Sequence, residues 1–178
     1  MKRKFDLSKV ENGTPWTSAV ADEIIKEHPD TDMYTTAAGI SPSGVVHCGN
    51  FRDVVTAHLV REALKERGKK ARLIFSWDNF DRFRKVPKGV PESFAEHIGK
   101  PLSKIPDPEG SCHASYAEHF QQPFVEAMEK LGIEIEYRNQ TELHESGTYD
   151  EAIFHALKER LKIAEILLSF MTEKAKRG

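Results

Sequence analysis

Cysteine is scarce in this chain: only Cys48 and Cys112 occur among 178 residues, and they form no CxxC pair. A disulfide framework is excluded, and the usage suits a reducing compartment, so a cytoplasmic protein is expected. No apolar run approaches the ~18 residues that cross a bilayer. The opening MKRKFDLSKVENGTPW has charge but no signal-peptide core, so neither export nor membrane insertion is expected. Charge of one sign is lacking too, because 26 Lys+Arg stand against 28 Asp+Glu for a net of −2. That balance argues against a protein that coats nucleic acid, and no DNA partner is expected, although a local basic patch can still touch RNA. Internal repeats, low-complexity tracts, GxGxxG and GxxxxGK[ST] are all missing, which removes the main support for dinucleotide and Walker-type sites. What remains is an ordinary globular composition in a chain long enough to bury roughly 70% of its unfolded surface without a staple.

The apolar spacing then organises the chain. Trp16, Val20, Ile24 and Ile25 share a helical face over 16–27, with Thr17 or Ser18 available as cap. Met33 to Ala38 reads as a buried strand running into Gly39-Ile-Ser-Pro-Ser-Gly44. Val46, Phe51, Val54, Val55, Leu59, Ala63 and Leu64 predict a helix within 45–67, and Gly68 stands where a C-cap glycine belongs. Ala71 to Trp77 is a second strand, so the order predicts a βαβ unit with a parallel sheet. Six of the nine prolines fall between Val86 and Pro123, marking a connective insertion. Ser115-Tyr-Ala-Glu118 predicts a capped helix that Pro123 breaks or kinks and Gly132 stops; Ile133 to Tyr137 alternates like a strand. Thr148-Tyr-Asp-Glu151 predicts the cap of one long helix out to Lys176. Alternation of this kind gives an α/β fold with a Rossmann-like parallel sheet, divided as 1–85, an insertion over 86–123, and 124–178.

In such a sheet a ligand binds beyond the carboxyl ends of the strands, where the first loop runs Gly39-Ile-Ser-Pro-Ser-Gly-Val-Val-His-Cys-Gly-Asn50. Small residues turn there against a helix N-terminus, whose backbone N–H groups and dipole favour a polyphosphate. His47 can donate to a phosphoryl oxygen, and glycine at 49 lets a planar base approach the backbone. The outline is that of an ATP site.

SPSGVVHCGN resembles the HIGH signature of class I aminoacyl-tRNA synthetases, with His47, Cys48, Gly49 and Asn50 on its four positions. FRDVVTAHLV at 51–60, LIFSWDNFDRFRKVP at 73–87, EHIGKPLSKIPDP at 96–108 and SYAEHF at 115–120 extend the likeness to class I lysyl-tRNA synthetases over nearly the whole chain. The resemblance implies activation of lysine by ATP, release of pyrophosphate, and transfer of the lysyl group to tRNA(Lys), with Mg²⁺ accompanying the nucleotide. By position, His47 and Asn50 would be catalytic, His47, Gly49 and Asn50 would bind ATP, and Gly39 and Ser41 would hold lysine. The family's KMSKS loop is not found: Lys158-Glu-Arg160 and Lys174-Ala-Lys176 lack its serine context. An N-terminal part of a synthetase is therefore expected, with a complementary C-terminal polypeptide as a partner. The rival readings are a small nucleotidyltransferase, which needs its own phosphate-closing basic loop, and a non-catalytic nucleotide- or tRNA-binding module, which binds ATP without pyrophosphate exchange.

Plainer roles compete at each position. His47 can serve as a helix cap, and Gly39, Gly44 and Gly49 can serve only turns and packing. Arg82, Arg84, Lys85 and Lys88 form a basic run that meets a tRNA acceptor end or is a solvated face. Asp78 and Asp81 are expected to pair with Arg82 and Arg84. Cys112, His113 and His119 suggest zinc but lack a defined fourth ligand, so no metal ligand is assigned. The apolar stripe of the last helix is expected to be core, or a surface for further chain.

Overall fold

The computed structural model describes residues 14–171. Helix α1 spans Trp16–Glu27, strand β1 Tyr34–Ile40, helix α2 Cys48–Glu66 and strand β2 Ala71–Trp77. Gly68 follows α2 with φ 71°, the left-handed turn that lets the chain reverse into β2. β1 and β2 pair in parallel from Tyr34↔Ala71 to Ile40↔Trp77, so the predicted βαβ unit is present. The cap of α1 differs from expectation, because Pro15 occupies the N-cap without any side-chain hydrogen bond.

Across the insertion the chain forms two short 3₁₀ turns, Glu92–His97 and Leu102–Lys104, each preceded by proline. Helix α3, Tyr116–Lys130, is capped as the sequence implies, with Ser115 Oγ accepting from the Glu118 N–H at 3.2 Å. The helix runs continuously through Pro123, so of the expected break or kink the break does not occur. Strand β3 is Glu136–Asn139, shifted from the expected 133–137, and it pairs in parallel with β2 from Ile74↔Glu136 to Trp77↔Asn139. The alternation of IEIEY arises because Ile133 is buried in the core before the strand starts. The result is an α/β fold with a three-stranded parallel sheet in the order β1-β2-β3.

Three apolar clusters hold these elements. Val54 of α2, Leu73, Phe75 and Trp77 of β2, and Phe124 and Met128 of α3 form the sheet core. Ala21 of α1 meets Tyr34, Val60 and Leu64 in a second cluster, and Phe83, Phe94, Leu102, Ile105 and Tyr116 give the insertion a core of its own. Each large side chain so buried contributes about 1.5–3 kcal/mol.

The chain divides into two compact units, one up to Gln140 and one from Thr141. Helices α4 (Gln140–Glu145), α5 (Asp150–Lys158) and α6 (Arg160–Phe170) follow β3. The predicted single long helix is thus two, separated at Glu159, where φ −90° and ψ 9° interrupt the regular backbone. Nor does Thr148 cap it, since its hydroxyl lies 2.8 Å from that of Ser146. Of the two readings of the apolar stripe, core or a surface for further chain, core does not hold, since Ile153, Leu157, Leu161 and Leu168 are all exposed. Lys174 and Lys176 lie outside the described residues. No helix of the described residues is long and apolar enough to cross a membrane.

Candidate functional site

The loop between β1 and α2 lies at the carboxyl end of the sheet, and each of its anchors can be traced to a residue. Gly39 pairs with Ser76 across the strands, and a Cβ there would stand 3.0 Å from the Ser76 carbonyl oxygen, so only glycine fits without displacing β2. Its N–H donates to Asp53 Oδ2 of α2 at 3.3 Å, which ties the end of the strand to the helix that follows. At the far end His47 is the N-cap of α2. Its Nδ1 accepts from the Gly49 N–H at 3.1 Å, and its own N–H donates to Asn50 Oδ1 at 3.3 Å. This reciprocal box satisfies two donors that a helix start leaves orphaned.

The plain reading of His47 as a cap is therefore right, and it has a chemical consequence. With Nδ1 engaged as acceptor, the neutral ring carries its proton on Nε2, the nitrogen left free to donate to a ligand. Asn50 has its oxygen turned inward, which leaves its Nδ2 amide as the second donor. Gly49 is required locally: a Cβ there would lie 2.9 Å from His47 Cε1 and 3.0 Å from Nδ1, pushing the ring out of its cap. The sequence reading had assigned this glycine to approach of a base, and ring clearance was the reason it missed.

His47 and Asn50 face a cavity of about 160 Å³ whose other walls include Ser41, Ser43 and Gly44. Four of the five residues singled out for nucleotide and lysine binding, Ser41, His47, Gly49 and Asn50, thus lie along or beside one loop; Gly39 stands behind it. Tyr116 secures the loop from the insertion, its hydroxyl donating to the Ser43 carbonyl at 2.9 Å from a fully buried ring. Burial raises the Tyr116 pKa to about 12, so the hydroxyl remains a donor at any ordinary pH. Behind β2, Gln140 Nε2 donates to Ser76 Oγ at 2.7 Å, Ser76 Oγ donates to Asp78 Oδ1 at 2.8 Å, and buried Asn79 Nδ2 donates to Asn139 Oδ1 at 2.8 Å. Asp78 is occupied by Ser76, and among the described residues no ion pair joins Asp78 or Asp81 to Arg82 or Arg84. The expected pairs are absent because that carboxylate is directed into the polar network at the end of β2.

A second cluster lies at the start of α3. Asp107, Cys112, His113 and His119 bring one ligand atom each within 4.8 Å of one another. Cys112 Sγ is 3.0 Å from Asp107 Oδ2 and 3.0 Å from His113 Nδ1, and His119 Nδ1 is 3.1 Å from Asp107 Oδ1. Tetrahedral zinc with bonds of 2.0–2.3 Å separates its ligands by roughly 3.3–3.8 Å, so opening these short pairs by a few tenths of an ångström and drawing in the wider ones would seat a central ion. The Cys112 thiol, with two backbone N–H groups, holds the Asp107 carboxyl well below the usual carboxylate range against the opposing effect of burial. Asp107 brings to this cluster the fourth side chain of metal-ligating type that the sequence reading lacked. Between Pro106 and Pro108 it reads as a turn residue; D-x4-C-H-x5-H was the available signal.

Comparison with known proteins identifies the family. Residues 14–178 match the family described as tRNA synthetases class I (K). The chain is 48% identical over 152 residues to a lysine–tRNA ligase of Pyrococcus horikoshii, covering 85% of this chain and 29% of that protein. It is 46% identical over 169 residues to that of Streptomyces coelicolor, covering 91% and 29%. It is 49% identical over 152 residues to that of Thermococcus kodakarensis, covering 85% and 29%. The chain thus spans less than a third of the length of the curated relatives it matches. With a parallel sheet, a His47–Asn50 box at the carboxyl end of β1, and a family match across every described element, this chain belongs to the lysine-type class I tRNA synthetases.

Proposed function

We propose that this chain presents the ATP subsite and part of the lysine subsite of a lysine–tRNA ligase. The observation that carries the reading is the reciprocal His47–Asn50 cap, which engages His47 Nδ1 and Asn50 Oδ1 and sets both residues in the wall of one polar cavity beside a helix N-terminus. In the reaction, an oxygen of the lysine carboxylate attacks the α-phosphorus of ATP in line. A carboxyl–phosphate bond forms as the bond to the β-phosphate oxygen breaks, giving lysyl-adenylate and pyrophosphate. His47 and Asn50 donate hydrogen bonds where negative charge grows on the phosphoryl oxygens. Ser41 and the end of β1 at Gly39 hold the amino acid beside them. Transfer follows at the same carboxyl carbon, where a terminal ribose hydroxyl of tRNA(Lys) forms the ester bond as the carboxyl–phosphate bond breaks and AMP leaves.

The cavity wall of Ser41, Ser43, His47 and Asn50 offers no carboxylate. Mg²⁺ therefore enters with the nucleotide, whose phosphates supply most of its ligands and whose charge it neutralises. The Asp107, Cys112, His113 and His119 set is closed, four protein groups with no open position, and holds a structural zinc that pins α3 to the insertion. A cytoplasmic setting and a partner polypeptide that completes the enzyme belong to the same reading.

The test is ATP binding and lysine-dependent ATP–pyrophosphate exchange by the 178-residue chain, with His47→Ala beside it. ATP binding is expected, weakened about tenfold in the variant by loss of one donor to a charged group. Equal affinity in the two proteins refutes the assigned site.

A further inference from the structure

Helices α5 and α6 carry an apolar seam that nothing among the described residues covers. Phe154, Leu157, Leu161, Ala164, Leu168 and Met171 follow one another at alternating steps of three and four residues, and all six are exposed. That alternation is the seam pattern of a coiled coil, with Phe154, Leu161 and Leu168 at its a positions and Leu157, Ala164 and Met171 at its d positions. The bend at Glu159 does not end the repeat. Its N–H donates to the His155 carbonyl and its carbonyl accepts from the Ile163 N–H, both at 3.0 Å, so helical bonding runs from α5 into α6. Leu161, in the middle of the seam, is 75% exposed, so its own chain leaves the seam open to a partner.

We infer that this seam is an interface with a second copy of the chain, packed antiparallel as a short two-stranded coiled coil. Volume and charge fix both the partner and its direction. In an antiparallel pair the layers set Phe154 against Met171, Leu157 against Leu168 and Leu161 against Ala164, each layer repeating in reverse about the twofold axis. The one small side chain of the seam therefore always meets a large one. A parallel pair would set Ala164 against Ala164 and leave a void in that layer. Lys158 and Glu165 occupy the e positions flanking the seam, and antiparallel helices face e with e, so Lys158 of each copy meets Glu165 of the other. Among the described residues neither side chain has an ion-pair partner in its own chain, whereas Lys162, which lies off the seam, is already paired with Glu159. Opposed helix dipoles favour the same direction. Ile163, Ile166 and Phe170 make the other side of α6 apolar too, but they have no large apolar counterpart on α5 and lie outside this contact. The inference is independent of the proposed catalytic role.

The measurement is sedimentation equilibrium of the 178-residue chain over about two decades of concentration, centred on roughly 50 μM. So short a seam gives a weak dimer, with a Kd on the order of 10–100 μM. Leu161→Lys and Leu168→Lys each abolish association over that range, and thermal unfolding shows that these variants, altered only at exposed positions, remain folded. Lys158→Glu and Glu165→Lys each weaken the dimer about fivefold, and the double variant returns to within about twofold of the parent. Arg160→Glu, at the position a parallel pair would set against Glu165, changes the Kd less than about twofold, and so does Ile166→Lys on the other side of α6. A chain that stays monomeric throughout the range overturns the inference and leaves the seam to a different polypeptide. Association that survives Leu161→Lys and Leu168→Lys, or that Ile166→Lys disrupts as strongly, is unspecific contact of apolar surface and overturns it as well. A double charge variant that does not recover, or a loss at Arg160→Glu with none at Lys158→Glu, overturns the antiparallel pairing.

Discussion

Removing one oxygen atom, by Tyr116→Phe, separates packing from hydrogen bonding at the joint between the insertion and the loop. The ring is fully buried against Phe83 at 5.2 Å and Phe120 at 4.8 Å, and phenylalanine keeps both contacts. Only the hydroxyl donation to the Ser43 carbonyl is lost, across 73 positions of sequence. A hydrogen bond of this kind is worth about 1 kcal/mol net, and an acceptor left dry costs up to about 3 kcal/mol. Ser43 is exposed, so water reaches its carbonyl and the smaller figure applies. For a chain of this size that is a fall in Tm of about 2–4 °C. ATP affinity should drop less than about threefold, since no group facing the nucleotide is removed. Urea denaturation at constant m-value, with ATP titration alongside, reads both. A loss above about 3 kcal/mol contradicts the water-accessible carbonyl, and no loss contradicts the hydrogen bond itself.

Three further outcomes follow from the same geometry. Gly49→Ala places a methyl group 2.9 Å from the His47 ring, so it should lower ATP affinity as much as His47→Ala while costing about 1 kcal/mol of a helix cap; an alanine variant that binds ATP normally refutes the cap-first account. The purified chain should carry one zinc, measured by metal analysis, and Asp107→Asn or Cys112→Ser should lose it and lower Tm; a metal-free protein with unchanged stability removes the metal centre. Tyr116 titrates near 12 when folded and near 10 when unfolded, so the folded state binds the proton more tightly. Stability from this group is therefore intact below pH 10 and declines between about pH 10 and 12, which tyrosinate absorbance during alkaline unfolding will follow; Tyr137 is raised to about 12 as well, so Tyr116→Phe should reduce that decline by about half rather than abolish it.

The sequence spoke most clearly where period and punctuation coincided. α2 and β2 were legible because apolar spacing at three and four residues ends at Gly68 and gives way to ARLIFSW. The start of α5 was misread because Thr148-Tyr-Asp-Glu151 has the letters of a capping box, yet the Thr148 hydroxyl is taken by Ser146. The break at Glu159 has no glycine or proline to announce it. At the site, a four-position motif located His47 and Asn50, but only coordinates reveal that Nδ1 is already committed, which decides the nitrogen that meets a ligand. Tyr116 was hidden because its partner Ser43 is 73 positions away and no local pattern encodes that contact, whereas Asp107, set between two prolines, reads as a turn residue unless the D-x4-C-H-x5-H spacing is taken as a set.

The sheet order β1-β2-β3 also bears on how the chain acquires its structure. β1, α2 and β2 are consecutive, so their pairing closes a short loop and can occur soon after Trp77 emerges from a ribosome. β2 is the central strand, however, and its second edge waits for β3, beyond the whole proline-rich segment. Closing so long a connection is entropically slow unless the segment first contracts. The segment has an aromatic cluster of its own on which such a contraction can rest, since it gathers residues from Phe83 to Ala117. If that cluster forms first, Phe94→Leu should slow refolding more than it speeds unfolding in a chevron measurement, and an effect confined to the unfolding limb refutes that order.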